Sequence, residues 1–403
     1  MSETANSRQT HIITFKPKDQ RADTRSDKQE LVRSALATDL QFLAADDVSR
    51  QGRAVASAQD MELVGYDVNR YEAPILMAHL TDDEAQEVAG HQDVLRVEQD
   101  QPMHALDLQR EDQPDPLAQT IPAGITQIHA PEAWQSSQGK GIKVFICDTG
   151  IQSDHPDLKA NLHEGRSFVP TESTTEDFHG HGTHCAGTVA ATFNDIGVVG
   201  VAPYAYLHPV KVLSGSGSGS FSWLIAALDW IATKKGARIA SMSLGGASAP
   251  QALGDMCKAV YEKGVLLVAA AGNSGPGNDT VGYPAKYPHV VAVSAVDGND
   301  VIANFSSRGP EVEVAAPGVQ VLSTIRNSGY GRMSGTSMAC PHVAGVAALA
   351  WGSHRGATNK QIRWLLNAYA ERVGNGDRNL YGSGRVNANN SAFHIGQPPE
   401  WQL

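Results

Sequence analysis

Apolar runs at residues 142–147, 207–213, 238–244, 264–271 and 289–296 alternate with helical patterns at 182–193, 222–235 and 248–263. This alternation is the strongest constraint on what the chain can become. Apolar runs without a polar face read as strands buried on both sides. The intervening helices are the elements available to cover them. The expected architecture is α/β, a parallel sheet with helices on both faces. Sites in such sheets gather at the carboxyl ends of the strands. Glycine, 39 residues of it and much in the second half, suits loops whose backbone comes close to a ligand.

A chain of 403 residues is long for one domain, and its first hundred residues have a different texture. Residues 11–16 and 73–80 read as strands, and Val94 to Val97 as a closing strand. Leu31, Leu36, Leu40 and Leu43 recur at helical spacing over 27–45. Thr81-Asp82-Asp83-Glu84 is a capping box opening a second helix to about Ala89. Together these make a small α+β unit. Residues 107–117 are acidic, polar and proline-bearing, the composition of a linker. The expected layout is an N-terminal unit over 1–106, a linker over 107–117, a main domain over 118–388 and a tail over 389–403.

A net charge of -11 argues against a nucleic-acid partner, since phosphate binding needs clustered Lys and Arg. No run of about 18 apolar residues is present, so no membrane-spanning helix is expected. Cys147, Cys185, Cys257 and Cys340 include no Cys-x-x-Cys pair, and four cysteines in this length do not make a disulfide scaffold. Free thiols are expected.

Three segments carry chemistry. Lys143-Val144-Phe145-Ile146-Cys147-Asp148-Thr149-Gly150 ends an apolar strand on an Asp. His179-Gly180-His181-Gly182-Thr183-His184-Cys185-Ala186-Gly187 sets a His at the start of a small-residue helix. Ser334-Gly335-Thr336-Ser337-Met338-Ala339-Cys340-Pro341-His342 sets a Ser at the start of an apolar helix, with Pro341 expected in its first turn. A serine hydroxyl needs a base to become a nucleophile. A neutral imidazole supplies one near neutral pH, and a carboxylate behind it fixes the tautomer. A helix N-terminus adds partial positive charge and free N–H groups.

The order Asp, His, Ser with these three motifs resembles the subtilisin family of serine proteases, from about Gln119 to Asn387. The resemblance implies a subtilisin-like sheet behind a small ferredoxin-like propeptide. It implies a serine endopeptidase acting through an acyl-enzyme on polypeptide substrates, with Ser337 as nucleophile, His181 as base and Asp148 orienting it. His184 falls inside the helix as a structural residue. A metal reading of His179, His181 and His184 lacks the Glu of a His-Glu-x-x-His motif. In Ala269-Ala270-Ala271-Gly272-Asn273-Ser274, Asn273 is implied as a donor to the oxyanion, with the backbone N–H of Ser337.

The resemblance also implies two edges for an added peptide strand, Gly217-Ser218-Gly219 and Ser243-Leu244-Gly245. The first pocket is expected between Ser243 to Gly245 and Ala270 to Gly272, with Gly282 near its base. Having no buried acid, it should prefer large apolar side chains. A second pocket is expected from Leu213, Phe221 and Leu244. A structural calcium is implied at Gln119, Asp157 and Asn194, completed by carbonyls of Thr192, Ile196 and Val198.

The N-terminal unit resembles the inhibitory propeptide of these proteases. Its tail, Val97 to Leu106, should plug the site, Leu106 in the first pocket and Met103 in the second, with self-cleavage after Leu106. Cleavage after Leu117 stays open as the alternative, because 107–117 intervene before Gln119. The enzyme is expected to be a monomer. Its compartment stays open too: the first ten residues lack the apolar core of a signal peptide, whereas a full propeptide suits secretion through a missing leader or a non-standard route. Cys147, Cys185 and Cys340 should lie near the site as buried side chains, giving partial sensitivity to mercurials. Two other classes stand beside the protease. One is a silent binding protein of the same fold, against which stand an intact triad and Asn273. The other is an α/β-hydrolase esterase, whose motif order and final glycine are lacking.

Overall fold

A computed structural model of the chain describes residues 8–16, 31–32, 43–44, 64–65, 75–106, 109–113 and 118–393. At its centre is a seven-stranded sheet. In spatial order it runs Val312–Pro317, Val290–Val296, Leu266–Ala270, Ala237–Met242, Lys143–Asp148, Tyr206–Lys211 and Arg166–Ser167. Every pairing in it is parallel. The apolar runs of the sequence are therefore buried strands. Leu266–Ala270 and Val290–Val296 have no exposed or half-exposed residue.

Two apolar layers flank the sheet. One holds the buried helix Thr336–Ser353 with His181–Ala190; the other holds Phe221–Thr233 and Gln251–Glu262. Residues 336–351 are all buried. A helix apolar all round must run through a core rather than across a surface, and this one carries Ser337 at its second position.

The N-terminal unit forms its own sheet, Ile75–Leu80, Gln9–Phe15 and Val94–Gln99, antiparallel throughout. The helix Asp82–Ala89 opens with the expected capping box, Thr81 accepting from Glu84 N while the Glu84 carboxylate accepts from Thr81 N. Most of the expected helix over 27–45 lies outside the described residues. Leu31 and Val32 are helical, but Leu43–Ala44 is a short strand pairing with Val64–Gly65, so the leucine spacing overran its helix.

Three boundaries need correction. Residues 107–117 are not free chain throughout, because Gln109–Gln113 is a strand paired antiparallel with Gly329–Ser334. Linker composition does not exclude pairing when a free strand edge lies within reach. The tail does not begin at 389. Ala388–Phe393 is a helix with Ala388, Ser391 and Ala392 buried, and residues 394–403 lie outside the described set. Pro341 is not in the first turn of its helix, which starts at Thr336.

Candidate active site

Asp148 is the last residue of the central strand Lys143–Asp148. His181 is the first residue of the helix His181–Ala190. Ser337 is the second of Thr336–Ser353, just after Gly335. The three converge at the carboxyl end of the sheet, all without exposed surface. His181 Nδ1 lies 2.6 Å from Asp148 Oδ1, which also accepts from Thr149 N at 2.7 Å. Burial opposes a charged imidazole at His181, but the Asp148 carboxylate outweighs it and raises the ring well above the ordinary histidine value.

His181 Nε2, the face left for a proton from serine, has no hydrogen-bond partner among the described residues. Ser337 Oγ instead donates to Ser243 O at 2.8 Å and accepts from Leu106 N at 3.2 Å. Ser243 Oγ in turn donates to Ser337 O at 2.9 Å.

The chain's own segment fills the cleft. Pro102–Ala105 lies between Ser218–Ser220 and Leu244–Gly245 as the middle strand of an antiparallel sheet. Gly219 pairs with Met103, Ser218 with His104 and Leu244 with Ala105, and Ala105 N donates to Gly217 O at 2.9 Å. A Cβ at Gly219 would sit 2.3 Å from Val212 O and 3.1 Å from the Met103 methyl, so no side chain fits there. Met103 is fully buried in one apolar cluster with Leu213, Phe221 and Leu244.

Leu106 borders a cavity of about 310 Å³ lined in part by Gly245, Ala270, Gly272, Asn273 and Gly282. Its carbonyl accepts from Asn273 Nδ2 at 2.7 Å. The other end of that amide is held too: Asn273 Oδ1 accepts from Thr336 N at 3.0 Å and Thr336 Oγ1 at 2.9 Å. The sequence reading missed Thr336, although it adjoins Ser337. It also missed the rim of the cavity, where Lys286 pairs with Asp279 at 2.8 Å. The loop 273–283 reads as a turn, and turn composition does not say which side chains face a pocket.

Asp177 was missed as well. Its buried carboxylate accepts from His179 N, Gly180 N, Thr183 N, Thr183 Oγ1 and Thr149 Oγ1. Burial pushes Asp177 up, but these bonds win and hold it below the usual carboxylate range. It thereby pins the start of the helix bearing His181. Buried Lys211 stands beside Asp148 in register and pairs with Glu172 at 2.9 Å. The three histidines do not converge. His184 Nε2 reaches Val321 O, and the one group of metal-ligating type found among the described residues is Asp148, His181 and Cys185.

Away from the cleft, oxygens of two loops gather around Gln119. Its Nε2 lies 2.7 Å from Thr192 O, 3.1 Å from Asn194 Oδ1 and 3.2 Å from Val198 O. Asn194 Nδ2 lies 2.8 Å from Asp157 Oδ1. Ile196 N donates to Asn194 Oδ1 at 3.3 Å. Amide nitrogen and oxygen are exchanged by a flip. With Gln119 flipped, the group is an all-oxygen set with one buried carboxylate, which fits the chemistry of a hard divalent cation.

The four cysteines are unpaired and buried. Burial raises each thiol, Cys340 to about 12, so all stay protonated at neutral pH. Cys185 Sγ lies 3.9 Å from His181 Nδ1 and 3.6 Å from Ser337 O.

Comparison with known proteins gives a consistent picture. Residues 139–384 match the subtilase family of peptidases, and residues 10–106 match the peptidase inhibitor I9 family. The chain is 49% identical over 273 residues to M-protease of Shouchella clausii (strain KSM-K16), covering 68% of this chain and 70% of that protein. It is 46% identical over 279 residues to subtilisin E of Bacillus subtilis (strain 168), covering 68% and 72%. To subtilisin Savinase of Lederbergia lenta it is 48% identical over 272 residues, 67% of this chain and 98% of that one.

Proposed function

The chain belongs to the subtilase family of serine endopeptidases and carries its own I9 inhibitor domain, and on that premise we propose that Ser337 is the nucleophile, His181 its base and Asp148 the carboxylate that orients the base. The observation that carries this reading is the position of Leu106. Its carbonyl oxygen is held 2.7 Å from Asn273 Nδ2 while its own N–H reaches Ser337 Oγ at 3.2 Å.

Rotation about the Ser337 Cα–Cβ bond redirects the hydroxyl from Ser243 O to His181 Nε2. The imidazole takes the proton as Oγ attacks the carbonyl carbon. Negative charge develops on the oxygen that faces Asn273 Nδ2, whose orientation Thr336 has already set, so little reorganisation accompanies the step. His181 then protonates the leaving amine, and the Ser337 ester that remains is hydrolysed by water by the same route in reverse. Asp148 stabilises the imidazolium throughout.

The first bond cut is the one after Leu106, which makes the protein a self-inhibited, self-processing precursor. The I9 match ends at the same residue. Leu106 and buried Met103 also suggest the substrate preference, a large apolar residue before the scissile bond and another three residues earlier. Structural calcium bound by Gln119, Asp157 and Asn194 with the Thr192 and Val198 carbonyls would join the start of the catalytic domain to two loops. The Ile196 carbonyl completes the set implied by the family.

Ser337→Ala should abolish casein hydrolysis and leave the chain unprocessed, and a serine-directed phosphonylating reagent should block the processed wild type. A Ser337→Ala chain that matures alone would overturn self-cleavage, and residual hydrolysis by it would overturn the nucleophile. An N-terminus at Ala118 in the first cleavage product would favour cutting after Leu117.

A further inference from the structure

The strand Gly329–Ser334 leads through Gly335 and Thr336 directly to Ser337. One of its edges pairs with Val321–Ile325, and the other is covered by Gln109–Gln113. The covering segment begins three residues past Leu106. It pairs Gln109 with Ser334, beside the nucleophile, and ends with Gln113 opposite Tyr330. The approach is close, since a Cβ on Gly331 would lie 3.2 Å from Glu111 O. In chain order the segment follows the bond proposed to be cut, so it belongs to the leaving half of that bond.

The far end of the segment is tied to the same domain. Thr120 N donates to Gly197 O at 2.7 Å, Val199 N to Thr120 O at 3.2 Å, and the Gln119 amide sits among three oxygens. The Cβ position of Gly197 abuts the Tyr330 hydroxyl, so this anchor adjoins the end of the same strand. The described segments thus lie, in chain order, in the cleft, along one strand edge and at the oxygen-rich loop.

We propose that residues 109–113 act as a second inhibitory strand, lying along the outer edge of Gly329–Ser334 on the leaving-group side of the cleft and outlasting the cut after Leu106. The inference rests on the proposed cut there. Hydrolysis of that bond frees a carboxylate on Leu106 and an ammonium on Asp107, but it removes none of the pairing at 109–113. Because Gln119 and Thr120 tether the segment, it competes at an effective concentration on the order of millimolar. A second cut within 107–117, or displacement by substrate, then gives the open enzyme.

The full chain is allowed to process, its N-terminal domain is cleared, and species beginning at Asp107 are compared for the wild type and Glu111→Pro/Asp112→Pro. Successive backbone N–H groups point to opposite edges, so one of the two prolines must remove a ladder donor. For a peptide with five residues beyond the scissile bond, KM should be on the order of tenfold lower in the variant. For a p-nitroanilide, with no residue there, KM should match the wild type. Equal KM for the long peptide overturns the proposal, as does an intermediate that never accumulates with Asp107 at its start. Should the variant fail to process, hydrogen exchange on the cut wild type decides: protection at 109–113 and 330–334 supports the strand, and fast exchange at 109–113 overturns it. If the anilide is not hydrolysed and no cut appears at Leu106, the catalytic assignment itself falls.

Discussion

Proline at 341 removes the N–H that an unbroken helix would aim at the carbonyl four residues earlier, that of Ser337. The freed carbonyl accepts from Ser243 Oγ, while Ser243 O accepts from Ser337 Oγ. A residue that looks like a helix defect thus gives the nucleophile a second tie to the substrate wall. Ser243→Ala should cost about 1–3 kcal/mol of stability by leaving that buried carbonyl with only a thiol donor. Denaturant unfolding in a Ser337→Ala background, free of self-digestion, would measure it. Asp177 acts one step further from the chemistry, as a positioning residue for His181. Asp177→Ala should lower kcat far more than it raises KM, and Asp177→Asn should restore part of the loss. His181 sets the pH dependence. Its raised value means the neutral base is scarce at acid pH, so kcat/KM should fall as pH drops, with a midpoint above 6.5. Replacing Asp148 with Asn should cost on the order of 10⁴ in kcat. Cys185 stands close enough to His181 that mercurial labelling should inhibit, and Cys185→Ala should remove that sensitivity.

Among the helices of the catalytic domain that begin without a side-chain cap of their own are Phe221–Thr233 and Gln251–Glu262. The N-terminal unit supplies both. Glu98 accepts from Gln251 N at 2.8 Å and Ala252 N at 3.1 Å, and Asp100 accepts from Ser222 N at 3.1 Å. Carboxylates at helix N-termini are favourable through both the free N–H groups and the dipole. Removal of one cap costs about 1 kcal/mol. Glu98→Ala should therefore release the cut N-terminal unit on the order of five times more readily. The measurement is the lag before activity appears in the self-processing chain. An unchanged lag would mean that the tail strand Pro102–Ala105 alone sets retention.

Across the whole molecule, burial makes the fold sensitive to acid. His184 is pushed down to about 3 and His342 to about 4, each buried and neutral with one ring nitrogen on a carbonyl, Val321 O and Met338 O. An unfolded histidine titrates near 6.5. Below that pH the unfolded chain binds protons that the folded chain refuses, so stability falls as pH drops from about 6.5 towards 4. Each histidine contributes about 1.4 kcal/mol per pH unit in that window. Asp177 acts in the same direction at lower pH: depressed in the fold, it stabilises above the ordinary carboxylate value, and that contribution is lost as pH falls through its own. Calorimetry of Ser337→Ala from pH 7 to 4 should show Tm falling over the histidine window. The same protein tests the metal: chelation should lower Tm, added calcium should restore it, and Asp157→Asn should abolish the response.

The sequence by itself placed the strands of the central sheet and the main helices between them, and it singled out Asp148, His181, Ser337 and Asn273, the proposed catalytic residues. Unbroken apolar runs have one low-energy destination, and short motifs at strand ends and helix starts keep their chemistry wherever they appear. It also marked Leu106 and Met103, because apolar pockets and an apolar tail are visible in composition. Only the tertiary structure decided what Thr336 and Ser243 do, since their partners, the Asn273 side chain and the Ser337 carbonyl, lie 63 and 94 residues away and no local pattern records that distance. Asp177 bonds N–H groups two, three and six residues on, but only the fold shows that it is buried and also tied to Thr149. Only it showed that residues 109–113 pair with the strand leading to Ser337. Strand pairing is set by the edge a segment meets, and the five polar residues of that segment do not name their partner.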